Sequence, residues 1–140
     1  MAEIKMDVGQ LQGFLTQVFP QVHQDFEVLE VTEQGVRVGL VVNDGHLRPG
    51  GTVSGPSMFA LADVGMYLAV LSRIGPQALT VTTSCSIDFM RKPAAGQQLV
   101  CDVRLLKLGR TLAVGDCLIH SVGQSGAVAR ASLTYSIPPK

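Results

Sequence analysis

The chain has 140 residues, 46% of them hydrophobic and 16% charged, and equal numbers of acids and bases give a formal net charge of zero. That length suits one domain spanning residues 1–140 with a core of its own. The apolar content excludes a disordered chain, and the charge balance gives no reason to expect a nucleic-acid partner.

The charges are unevenly placed: residues 1–90 hold nine acids and four bases, and residues 91–140 hold two acids and seven bases. Five of those bases, Arg91, Lys92, Arg104, Lys107 and Arg110, fall within about a hairpin's length. This is either a face for a modest anion, such as the phosphates of a ligand, or a solvated sheet face. Cys85, Cys101 and Cys117 form an odd set without CxxC spacing and read as reduced, buried residues of a cytoplasmic protein. The opening MAEIKMDVGQ lacks the basic-then-apolar order of a signal peptide.

In chain order, Asp7 to Phe19 reads as a short amphipathic helix, with Val8, Leu11, Leu15 and Val18 at helical spacing and Pro20 stopping it. Phe26–Thr32 and Val36–Val42 alternate as two strands of a hairpin, joined at Gln34-Gly35. Asn43–Gly51 is a loop dense in turn residues and carries His46 and Arg48. TVSGPSMFALAD, Thr52 to Asp63, then opens a helix over residues 55–74. Ser54 suits the N-cap, Pro56 the first turn, and Gly75-Pro76 the stop. The apolar run Met58 to Leu71 is shorter than the roughly 20 residues of a bilayer span, and Asp63 interrupts it. It therefore fits a core helix, and no membrane is expected. Four β-type runs follow: Leu79–Phe89, Gln98–Leu108, Thr111–Ser121 and Ala127–Ile137. Their separators RKPAAG, GR and GQSG are short enough for antiparallel neighbours. The class is α+β: a six-stranded antiparallel sheet curled around a central helix that is apolar nearly all round.

No His has a second ligand at metal spacing, and no Ser sits in GxSxG, so neither a metal site nor a serine hydrolase is expected. The helix start has unsatisfied N–H groups, and Gly55 lets a ligand approach its N–H closely, a site for an oxyanion or polarised carbonyl. Asp63 lies eight residues on, about 12 Å along a helix. One carbonyl therefore meets both groups only if one comes from a second subunit at a two-fold interface. Spacing alone also fits Asp63 as a structural bridge at that interface. Thr82, Ser84, Ser86 and Asp88 alternate along one strand face, where solvent exposure or the orienting of a water beside Asp63 explains the hydroxyls.

Three motifs resemble a known family: GTVSGPSMFALAD, SIDFMRKPAAGQQL, and LKLGRTLAVGDCLIHSVGQSGAVARASLTYSI. With the element order, they make residues 20–137 similar to a hotdog-fold acyl-CoA thioesterase of the phenylacetate-degradation (PaaI-like) branch. The resemblance implies hydrolysis of an acyl-CoA at a dimer-interface site, in a homodimer or a dimer of dimers. No separate cofactor is implied, because coenzyme A is part of the substrate. Asp63 falls on the family's catalytic carboxylate, which acts as base or nucleophile. Gly55 falls on the glycine whose N–H polarises the carbonyl, and Thr82, with Ser84 beside it, where relatives orient water. Arg91, Lys92, Lys107 and Arg110 fall in regions that meet the coenzyme A phosphates, and Tyr67 borders the acyl pocket. Ser54 stands at the family's His of HGG, and Pro56 at its second Gly. Arg48 stands where relatives hold Asn or Gln, and either meets an anionic acyl group or pairs with Asp63. These departures also fit a non-catalytic acyl-CoA-binding or regulatory module. A dehydratase is disfavoured, because that chemistry generally uses the His replaced by Ser54.

Overall fold

The computed structural model describes residues 2–139. Helix α1 spans Val8–Val18, and the Asp7 and Gln10 side chains each accept from the other's backbone N–H in a capping box. Strands β1 (Phe26–Val31) and β2 (Gly35–Leu40) form the expected hairpin. The next helix, α2, covers Gly55–Ile74, and β3 to β6 follow at Val81–Phe89, Leu99–Leu108, Leu112–Ser121 and Ala127–Ser136. The sheet order is β1-β2-β4-β5-β6-β3, and all five pairings are antiparallel. The hairpin formed before α2 thus joins one side of the β4-β5-β6 meander, and β3 joins the other.

The sheet curls around α2, from which Leu61, Ala62, Met66, Leu68, Ala69 and Leu71 are fully buried. Each buried leucine contributes about 1.5–3 kcal/mol relative to exposure. Small residues set how closely the layers approach. A Cβ on Gly115 of β5 would lie 2.7 Å from Met66 Sδ and 2.9 Å from the Arg104 carbonyl oxygen. At twenty residues α2 is longer than the apolar run Met58 to Leu71, and length and composition alone would let it cross a membrane. Its burial inside the sheet makes it a core helix.

The far end of α2 is held by a residue that hydrophobic patterning does not mark. Arg73 is 2% exposed, and its guanidinium donates to the carbonyls of Gly35, Thr32 and Glu33 in the β1–β2 turn and to the Ser72 hydroxyl. The Gly35 carbonyl also accepts from the Thr32 N–H, whereas the Thr32 and Glu33 carbonyls are met by Arg73 where the hairpin meets the helix.

The two sheet edges differ. Along β1, the Gln12 side chain donates to the Phe26 carbonyl and accepts from the Val28 N–H, so α1 covers that edge. Along β3 no element among the described residues lies outside the strand, and Val81, Phe89 and neighbouring Leu79 and Met90 are exposed. A nine-residue edge with exposed apolar side chains is a template for pairing with another strand.

Candidate active site

The site grows from one row of α2. Gly55, Phe59, Asp63 and Tyr67 follow one another at i, i+4 spacing and so share a helix face. The Ser54 side chain caps this helix, accepting from the Ser57 N–H at 3.3 Å and donating to the Ser57 hydroxyl at 3.0 Å. Pro56 sits in the first turn. Among the described residues no acceptor takes the Gly55 N–H. It is an open donor at the positive end of a 20-residue helix.

Asp63 is half-buried, and its oxygens are treated unequally. Oδ1 accepts from the Thr82 hydroxyl at 2.6 Å and from the Tyr135 hydroxyl at 2.6 Å. The Tyr135 oxygen also lies 2.8 Å from the Asp63 main-chain carbonyl oxygen, so its single proton is shared within that residue. No donor among the described residues meets Oδ2, and no Lys or Arg is ion-paired with this carboxylate. Burial first, and then the Asp63 charge, push the Tyr135 phenol far above its ordinary range, so it stays a neutral donor. Burial likewise raises the Tyr67 phenol and is the main cause raising the Cys85 thiol.

A β-bulge makes this cluster. In the β3–β6 ladder Thr82 pairs with Tyr135 and Ser84 pairs with Thr134, so an extra residue sits between them. The bulge turns Thr82 to the helix side, together with Tyr135, and sends Ser84 to the other face with Ser86 and Asp88. Simple alternation puts Thr82, Ser84, Ser86 and Asp88 on one face, and the bulge overturns that. Within one chain, Ser84 lies away from Asp63. Thr82 bonds the carboxylate directly, leaving only its lone pairs for a water.

Two cavities flank Asp63. One, of about 510 Å³, is lined by Phe19, Tyr67, Leu79, Val81, Thr82 and Tyr135, among others. Tyr67 stands in its wall and donates to the Ala78 carbonyl at 3.0 Å. The other, of about 310 Å³, is lined by apolar side chains together with Asp25, His46, Ser57 and Asp63. His46 Nδ1 accepts from the Asn43 N–H, and Nε2 lies 3.5 Å from an Asp25 carboxylate oxygen. His46 thus pairs with Asp25 across the fold, a partner that local spacing does not reveal.

A third cavity, of about 310 Å³, opens at Gly55 and gathers Arg48, Arg91 and Lys92 with Thr52 and Phe89. Arg48 therefore sits at the Gly55 mouth, and in the same chain it makes no pair with Asp63. The other bases of the cluster separate. Arg104 is tied to Asp116, while Lys107 and Arg110 lie at the β4–β5 turn, near the Val81 end of the sheet. Among the described residues, no group of three His, Cys, Asp or Glu side chains gathers as a metal site.

Tyr135 is the site residue that sequence reasoning missed. A signal existed: Ala129, Ala131, Leu133 and Tyr135 alternate inward along β6, and a tyrosine aimed at the core needs a partner for its hydroxyl.

The family model described as the thioesterase superfamily matches residues 50–128, which hold Gly55, Asp63 and Thr82. The chain belongs to the thioesterase superfamily. A Silicibacter structure described as a thioesterase is 53% identical, covers 98% of this chain and 95% of its own, and superposes with a TM-score of 0.92. The phenylacetic acid degradation protein PaaI of Thermus thermophilus is 28% identical, with 85% and 99% covered and a TM-score of 0.72. A Streptococcus mutans protein bound to acetyl-CoA is 27% identical, with 82% and 90% covered and a TM-score of 0.70. The wrapped helix and six-stranded sheet are the hotdog fold, as the sequence motifs imply.

Proposed function

We propose that the protein hydrolyses an acyl-CoA thioester at a site shared between two copies of the chain. The observation that carries this reading is where the two ends of the β3 edge lie against α2. A Cβ on Gly55 would lie 3.3 Å from the Phe89 ring, and Asp63 bonds Thr82. Gly55 thus belongs to the Phe89 end of β3 and Asp63 to the Thr82 end. The midpoint of Thr82 and Phe89 falls at Cys85-Ser86. Antiparallel pairing of two β3 edges about a two-fold there sets each Phe89 end beside the other copy's Thr82 end. Gly55 of one copy then faces Asp63 of the other, which the 12 Å spacing along one helix requires.

The same two-fold groups the cations. The Arg48, Arg91 and Lys92 mouth of one copy comes to the Lys107 and Arg110 end of the other, around a single site. That arrangement suits the phosphates of coenzyme A, and one relative is bound to acetyl-CoA. The acyl group takes the apolar cavity beside Tyr67 and Leu79. The Gly55 N–H polarises the thioester carbonyl, and Asp63 either removes a proton from the attacking water or attacks the carbon itself. In the first route water's oxygen bonds to the carbonyl carbon and its proton passes to Asp63. The C–S bond then breaks, and that proton goes to the leaving thiolate.

The test is thiol release from a panel of acyl-CoAs by the wild type and by Asp63→Asn. The expected loss is about 100-fold or more, with the oligomer intact. Full turnover by the folded variant refutes the assignment. Tight binding of acyl-CoA by the wild type without thiol release makes the protein a binding module.

A further inference from the structure

The unequal treatment of the Asp63 oxygens goes beyond naming Asp63 as the carboxylate. Asp63 Oδ2 is not among the side-chain atoms buried without a partner, so it stays open to solvent, where a water or substrate can meet it. Here two hydroxyls crowd onto Oδ1 at 2.6 Å each, and Oδ2 has no donor among the described residues. Both donors are firmly placed. Tyr135 is 3% exposed and stands in β6, its ring tilted against Tyr67 at 6.3 Å between centroids. Thr82 is its direct partner across the ladder, turned inward by the bulge.

We propose that Tyr135 is a positioning residue which, together with Thr82, pins Oδ1 of Asp63 and makes Oδ2 the oxygen presented to the substrate. The proposal rests on the thioesterase reading above. A carboxylate held at one oxygen by two short, charge-assisted bonds loses its freedom to rotate, so Oδ2 points along one direction. The helix alone does not achieve this, because an aspartate on an exposed helix face samples several rotamers. The other titratable groups around Asp63 are Tyr67 on its own helix, Cys85 on β3, and Asp25 and His46 across the second cavity. None of these four hydrogen-bonds the carboxylate.

The experiment measures kcat and KM for an acyl-CoA in Tyr135→Phe, Thr82→Val and Thr82→Ser. In Tyr135→Phe and Thr82→Val, kcat is expected to fall about 10- to 100-fold while KM changes little. Thr82→Ser keeps a hydroxyl and should recover most of what Thr82→Val loses. A folded Tyr135→Phe with the wild-type kcat overturns the proposal. Should that variant not fold, fluorotyrosine in a Tyr67→Phe background keeps the shape and strengthens the donor. Against the Tyr67→Phe parent, kcat should then change while KM holds, and an unchanged kcat overturns the proposal. If Asp63→Asn is inactive while Tyr135 can be changed freely, this inference alone fails. If Asp63→Asn is fully active, or the wild type releases no thiol from any acyl-CoA, it fails together with the thioesterase reading.

Discussion

Separating Gly55 and Asp63 onto two different chains tests the shared site directly. The Gly55 N–H can be removed by Gly55→Pro. Ser54 has φ −73° and ψ 155°, the extended conformation a residue before proline requires, and the first helical position needs no N–H for the helix. The added atoms press on the Phe89 ring, since a Cβ would sit 3.3 Å from it. Gly55→Ala makes the same contact and keeps the donor, so comparing the two isolates the N–H. Losing such a donor costs roughly 3–4 kcal/mol of transition-state stabilisation, or about 100- to 1,000-fold in rate. Asp63→Asn disables the other half. When the two variants are co-refolded in equal amounts, about half of the dimers are mixed. In each mixed dimer one site receives both intact groups and the other receives both defects. Activity should return to about a quarter of wild type, or about half after purification of the mixed dimer through two tags. The assay is thiol release per protomer. If both groups serve one site within a single chain, every site in the mixture keeps a defect, and activity stays at the level of the single variants. No recovery in verified mixed dimers refutes the two-fold arrangement.

Arg73→Ala leaves the Thr32, Glu33 and Gly35 carbonyls without their shared donor and empties a buried volume. It should lower unfolding free energy by about 3 kcal/mol or more, read as a shift of the urea midpoint. Alkaline stability follows from the buried phenols. The Tyr135 phenol is raised above its ordinary 10.0 in the folded chain, so its contribution is fully present below about pH 10 and fades as the unfolded chain ionises above it. Urea midpoints should therefore decline above about pH 10, by up to about 1.4 kcal/mol per pH unit for each buried phenol. Tyr135→Phe should flatten that decline, and an unchanged slope would show that Tyr135 does not drive it.

Much of this architecture is written locally. The 3.6-residue and 2-residue apolar periods, the Ser54 cap, Pro20, Gly75 and the short turns place both α-helices and all six strands to within a few residues, because each signal acts over one turn or one pleat. The spacing of Gly55 and Asp63 is likewise a property of one helix, and it points to a second subunit before any fold is known. Pairings between distant segments are different. The bulge at Thr82–Ser84 moves Thr82 and Ser84 to opposite faces, and no composition at 82–84 marks it, because the β6 register decides it. The β6 register also sets Tyr135 beside Thr82, 53 positions away in the chain. Arg73 finds three carbonyls in a turn some forty residues earlier, and His46 finds Asp25 rather than its neighbour Asp44. Sequence therefore determined the elements and the half-sites on α2. Tertiary structure decided which oxygen of Asp63 is held and by whom, because hydrogen-bond partners are chosen by ladder register and helix docking, which no local pattern encodes.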